Sequence, residues 1–439
     1  MTYARLALAA LLLVLWSAAP PAAVSAPRSI QALTAGAYCA PLPPASGTIV
    51  NVSTVAQLQD AVANLASNTT ILIADGDYAL TNTLHITGGV SNVALRGASG
   101  NRDAVILRGQ GMSNASYGNV PHGVLIGDAQ DVLIADLTIR DAYYHNIQVQ
   151  GESGAKRPRL YHLRLLDSGE QFVKVSVGPG GHGPYADGGE VACSLIEYTD
   201  RARSYYTNGV DALAVADWVI RDNVFRHIRA PAGQLAGPAV LMWRNTLNTV
   251  VERNLFVECD RAIALGLSTP DANSRDGEAT YDHQDGMIRN NFVYRAAGGL
   301  AGDVGITVNY SKNYAILHNT VILNNSFPWA IEYRFPSSSG QIAYNLTDGP
   351  IQRRDNAGGA LTGNVTNAAG SWFSNAPAGD LHLLSSATVA INQAAALAGV
   401  TTDYDGVARP IGPAPDVGAD EYGVLELPLK VYIPVLVKP

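Results

Sequence analysis

"VIRDNVF" (219–225), "VVERNLF" (250–256), "MIRNNFV" (287–293), "AILHNTV" (315–321) and "QIAYNLT" (341–347) are one pattern written five times. Each places apolar or β-branched residues, a polar residue or two, an asparagine and a second apolar run. The asparagines Asn223, Asn254, Asn291, Asn319 and Asn345 stand 31, 37, 28 and 26 residues apart. "VLIAD" (132–136), "LYHLR" (160–164) and "VACSL" (191–195) keep the phase without asparagine. A period of 20–50 residues built from short strands, with no helical signal, means a solenoid. Asparagine suits it twice over. It tolerates the left-handed backbone of a sharp turn, and amides stacked turn on turn can bond in a ladder. The pattern predicts an all-β, single-stranded parallel β-helix.

The flanks agree. "STVAQLQDAVANLA" (53–66) has helical spacing at Val55, Leu58, Val62 and Leu65, and Thr54 with Gln57 fits a capping box. Such a helix would cover the open end of the solenoid, which needs a cap. "TTILIADGDYAL" (69–80) follows as the first strand and turn. With these features the chain resembles the right-handed parallel β-helix (pectate-lyase-like) superfamily of secreted carbohydrate-active proteins, over roughly residues 50–422. The expected organisation is a signal peptide 1–26, a linker 27–52, a β-helix 53–400 with its capping helix 53–66, a closing segment 401–422 and an apolar tail 423–439. "TTDYDGVARPIGPAPDVGADEY" (401–422) resembles the closing segment of secreted proteins of this kind. Its aspartates are read as a structural cap, with calcium binding as the alternative.

Composition bounds the partners. The chain has 439 residues, 47% of them apolar, and a net charge of −8 with no basic patch or tail. Nucleic acid is therefore not an expected partner. Arg5, then "LALAALLLVLWSAA" (6–19) and "AAVSA", read as a secretory signal too short to span a membrane. A secreted or cell-surface monomer, with no membrane insertion after signal removal, is expected. Three cysteines are too few for a disulfide scaffold. Cys193 and Cys259, in apolar strand-like contexts, read as buried thiols.

One lysine stands out in "GEQFVKVSVG" (169–178), because Lys174 interrupts a β-branched run in a chain with only five lysines. Strand residues alternate between core and surface. With Ile147, Val173, Val210, Ile306 and Ile331 inward, Gln148, Lys174, Asp211, Thr307 and Glu332 face outward together, with Arg244 and Arg334 in the same phase. This face, flanked by long loops with Tyr205, Tyr206 and Tyr281, suggests a groove for an extracellular acidic polysaccharide.

Three chemistries fit such a groove. The resemblance implies β-elimination on a uronic-acid polymer, which needs a base and a cation facing the carboxylate. Lys174 is the expected base, Arg244 the carboxylate partner, and Glu170 and His145 further catalytic candidates. Gln148, Asp211, Arg334, Glu332, Tyr205 and Tyr206 are the expected substrate contacts. Asp187, Glu190 and Asp211 are candidate Ca2+ ligands, since calcium collects carboxylate oxygens. "LMWRNTLNTVVERNLF" (241–256) is similar to a chondroitinase-B/alginate-lyase strand and puts Arg244 at the catalytic arginine, yet the preceding turn lacks that family's lysine. Glycoside hydrolysis or epimerisation is another option, with Gly181-His182-Gly183 but no Asp-Asp pair. The remaining alternative is a non-catalytic carbohydrate-binding or cell-surface β-helix.

Overall fold

The computed structural model describes residues 39–298 and 303–423. The predicted signal peptide and the tail beyond Gly423 lie outside them. Successive turns lay short strands side by side in three parallel sheets, which begin at Thr48–Val52, Gly76–Ala79 and Leu84–Ile86. The result is a right-handed parallel β-helix with very little helix elsewhere. Ile134, Leu160, Val191, Ile220, Val251, Ile288, Ile316 and Ile342 form one interior column of the first sheet, each against the next turn. All eight are fully buried. A slip of one residue would turn the whole column out to water, so burial fixes the register.

The corner between the first and second sheets carries the asparagines. Asn223 donates its backbone N–H and its side-chain amide to Oδ1 of Asn254, at 3.1 and 3.0 Å. Asn254 repeats both bonds to Asn291, Asn291 to Asn319, and Asn319 to Asn345. The row begins one turn earlier, with the Ser194 N–H on Asn223, and runs on to Asn364. The left-handed residue, however, is the one before each asparagine. Asp222, Arg253, Asn290, His318 and Tyr344 have φ between 50° and 58°. Asparagine is therefore selected here by its amide and not by its backbone.

Residues Val55–Ala63 form the capping helix, with Leu58 and Val62 buried over the first turn. Thr54 Oγ1 accepts the Gln57 N–H, while Gln57 Oε1 takes the N–H of Ser53, one residue before the usual position. Upstream, residues 39–47 run as a strap across the outer face of the first sheet. Tyr161 donates to the Ala40 carbonyl, Arg96 to that of Pro43, and Thr70 to that of Ser46. A Cys39–Cys193 disulfide pins the far end, which corrects the reading of Cys193 as a free thiol; Cys259 is a buried thiol. The sequence hid this pairing because Cys193 points out of the solenoid, against Leu42 and Tyr161.

The closing segment does not plug the end of the solenoid. It folds back along the outer face of the second sheet, where Tyr404 stacks on Phe292 at 4.0 Å and Leu381 and Val417 pack beside Leu255 and Leu346. Its acidic residues are struts. Glu421 pairs with Arg409 at 2.6 Å, both side chains buried, and Asp403 accepts the N–H of Val407.

Two stability outcomes follow from these contacts. Asn254→Ala strands the backbone N–H and one amide hydrogen of Asn223 in the interior and should cost about 2–4 kcal/mol in denaturant unfolding, against roughly half that for Asn364→Ala at the end of the row. Equal losses would mean that the row does not act as a chain. Cys39→Ser opens a cross-link spanning 154 residues. It should cost about 2–5 kcal/mol and make the 39–47 strap the first site of limited proteolysis.

Candidate functional site

The third sheet positions the expected residues. Ile147, Val173 and Val210 lie in register and face the core, so Gln148, Lys174 and Asp211 form an outward row on three consecutive turns. Leu241 and Ala264 continue that row before Thr307 and Glu332. The predicted polar set is thus split in two by apolar residues. It is also less open than expected: Gln148, Asp211, Thr307 and Glu332 are buried, and Lys174 is only half-buried. Loops 109–123 and 198–209 border the strand entries, and loops 177–189 and 266–282 border the exits. These loops flank the row at both ends of its strands.

Lys174 Nζ lies 2.5 Å from Asp211 Oδ2, and the Trp243 indole N–H donates to Asp211 Oδ1 at 2.8 Å. Both carboxylate oxygens of Asp211 are therefore taken. Beside the pair stands Glu170, whose carboxyl is pushed up by burial and pulled back by Arg203 and Lys174. Arg203 Nη2 is 3.5 Å from Glu170 Oε1, and its guanidinium lies 4.0 Å over the ring of Tyr143. Tyr143, Tyr144 and Tyr117 pack against one another with ring centres 4.5 to 5.6 Å apart. Together they make an aromatic wall bearing a cation, next to an acid flanked by two cations.

The other expected residues divide. His145 is near Lys174 but buried, stacked on His122 at 5.1 Å, with Nδ1 3.1 Å from the Gln171 carbonyl oxygen. Burial, then His122 and Lys174, push its pKa down to about 3, so it is neutral at ordinary pH and is not an acid catalyst there. Arg244 sits at the exit of the next turn, 5.1 Å over the Trp243 ring and paired with Asp271. Glu332 and Arg334 are not with Lys174. Four turns separate Asp211 from Glu332, about 19 Å at the usual strand spacing. Tyr205 and Tyr206 are exposed on the loop whose Thr207 hydroxyl donates to the Glu170 carbonyl.

The expected calcium ligands do not converge. Asp187 pairs with Arg275 at 2.6 Å, Glu190 lies on the first sheet between Arg159 and Arg221, and Asp211 is held by Lys174 and Trp243. Three carboxylates that face different cations do not make a calcium site. A separate group, His382 from the strand Asp380–Leu383 with Asp405 and Asp420 of the closing segment, brings ligand atoms within 4.8 Å. Its histidine already bonds Asp380 and Asp405, and Asp420 accepts the Leu383 N–H.

Sequence reading passed over Trp243, Arg203 and His122. The repeat phase held a signal for His122, which stands two residues before Val124 as His145 stands two before Ile147. Arg203 and Trp243 gave no such signal, because a loop and a strand end place them. No helix among the described residues is long and apolar enough to cross a membrane.

The chain matches no protein-family model and no curated protein. Solved structures to which it is similar include an alginate lyase from Paenibacillus sp. str. FPU-7, at 14% identity, with 73% of this chain and 99% of that one covered and a TM-score of 0.39. Pectate lyase Pel9A gives 12%, 83% and 90%, and 0.39. A polygalacturonase from Erwinia carotovora ssp. carotovora gives 15%, 78% and 98%, and 0.36. At these values the likeness is one of fold type and says nothing about the reaction.

A pH effect tests the description of His145. Unfolded, it protonates near its ordinary 6.5, whereas folded it stays neutral to about 3. The unfolded chain therefore binds the extra proton, and the stability tied to neutral His145 is complete above 6.5 and lost as pH falls below it. Measured by denaturation, wild type should lose on the order of 1 kcal/mol per pH unit more than His145→Gln between pH 6.5 and 4. Parallel curves would show that the histidine is solvated.

Proposed function

We propose that this protein is an exported, polysaccharide-active β-helix protein that cleaves a uronic-acid polymer by β-elimination on the outer face of the third sheet. The observation that carries the reading is Glu170, a part-buried acid facing both Lys174 and Arg203, in a chain whose net charge is −8. An anionic sugar needs a local cation, and here two stand beside an aromatic wall on which a sugar ring can rest. The Cys39–Cys193 disulfide supports export, since such bonds persist in oxidising compartments.

In this reading the roles expected from sequence shift. Lys174, fixed in its ion pair with Asp211, is a well-held cation for the negative charge that develops on the uronate carboxylate. Glu170 becomes the base, and burial makes its carboxylate a stronger acceptor than a solvated one. It takes the proton from the carbon next to the carboxylate. That electron pair forms the ring C=C bond, and the C–O bond to the next sugar breaks with its electrons going to the departing oxygen, which is reprotonated from solvent. Trp243 and Asp211 are positioning residues. No metal step is invoked, because the candidate calcium ligands do not fit one.

The test is an ultraviolet assay for unsaturated uronate ends on pectate, alginate and chondroitin-type polymers, with and without chelator. The signal should survive chelator and fall about 100-fold or more in Lys174→Ala and in Glu170→Gln. New reducing ends without ultraviolet signal would make the protein a hydrolase. Lys174-dependent binding with no cleavage would make it a recognition module. Loss of the signal with chelator would overturn the metal-free mechanism.

A further inference from the structure

We infer that the far end of the third sheet carries a second, non-catalytic station for the same class of acidic polysaccharide; its ligand class rests on the reading above. Trp329 opens the strand Trp329–Arg334 and is half-buried, and the guanidinium of Arg354 lies 4.5 Å over its ring. Arg354 is held from below. Glu332 Oε2 is 2.9 Å from its Nη1, and the Thr307 hydroxyl donates to the other oxygen of Glu332 at 3.2 Å. The Glu332 side chain is 3% exposed and that of Arg354 31%, so the acid is the buried anchor and the cation is the part offered to solvent. Beside it, Arg334 lies 4.7 Å from the Phe335 ring and pairs with Asp355.

This arrangement repeats the chemistry found at Lys174: a flat ring, a guanidinium stacked on it and a carboxylate fixing the guanidinium. A pyranose ring that bears a carboxylate matches both parts, the ring by stacking and the carboxylate by charge-assisted hydrogen bonds. The two places are distinct. Five turns separate Lys174 from Glu332, about 24 Å at the usual strand spacing. The intervening Leu241 and Ala264 offer no polar group, and both are buried. Because one continuous sheet carries both, a long polymer lying along the solenoid reaches each at a fixed separation. The second contact is then intramolecular and raises affinity without new chemistry, whereas a ligand shorter than the gap gains nothing.

The experiment is calorimetric binding of a uronate disaccharide and of a long uronate polymer at low salt, where charged contacts are least screened. The proteins are wild type, Lys174→Ala, Trp329→Ala and Arg354→Lys; the last keeps a cation over Glu332 and loses the stack. Trp329→Ala and Arg354→Lys should each weaken the long polymer about tenfold and leave the disaccharide within about twofold. Lys174→Ala should weaken both. If Lys174→Ala changes neither ligand while Trp329→Ala still weakens the polymer, the station stands and the Lys174 reading falls. If Trp329→Ala leaves polymer affinity unchanged, or weakens the disaccharide equally, the station is overturned. Binding to a neutral polymer in place of the uronate one overturns its ligand class.

Discussion

The row of asparagine amides at one corner sets the geometry that the rest of the molecule depends on. A carboxamide carries an acceptor and donors on one planar group, so the same side chain can receive from the turn before it and give to the turn after it. Asn223 Oδ1 takes the Ser194 N–H, and from Asn254 to Asn364 each Oδ1 collects two N–H groups of its neighbour. All of this happens in the interior, where an unmade bond costs far more than a made one returns. A turn that drifted along the axis would break its bonds on both sides. The corner therefore forces every turn into the same phase, and the sheets inherit it.

That constraint leaves the other two corners free. Loops of fifteen and seventeen residues, 109–123 and 266–282, leave the solenoid and return without disturbing strand register, because the register is already decided elsewhere. Function can collect at these corners at little cost to the core, as loops on a rigid scaffold generally allow. Glu170, Arg203 and the tyrosine wall come from four different connections, yet they meet at Lys174. The lysine itself is placed by nothing more than strand alternation and the phase of its turn.

The sequence made the phase legible, and with it the placement of Gln148, Lys174, Asp211, Thr307 and Glu332 on one face, because both depend only on counting. Features fixed by contact between distant segments were not legible. The Cys39–Cys193 bridge requires knowing that a strap crosses the first sheet. The separation of Asp187 from Asp211 requires knowing that Asp187 turns to meet Arg275, 88 residues along the chain. Burial along the outward row is also invisible to alternation, which tells inward from outward but not covered from open. The left-handed residues were assigned one position late because asparagine suits both jobs, and only the hydrogen bonds distinguish them.

Lys174 then has a physical account. A lysine on a sheet face, half-covered by neighbours, is costly unless a charge meets it, and Asp211 on the adjacent turn meets it in register. Asp211 in turn is acceptable when buried on that face because Trp243, from the turn after, supplies its second hydrogen bond. Each of the three residues satisfies the next across one strand spacing, the same rule that operates in the asparagine row, applied now with charge. The difference is at the end of the chain. The asparagine row closes on backbone groups and is complete in itself, whereas the charged row ends at the ammonium of Lys174, with Glu170 and Arg203 beside it. A cation fixed by a buried carboxylate on one side and set beside a part-buried acid and a second cation on the other is held in one position, as binding an anionic sugar requires.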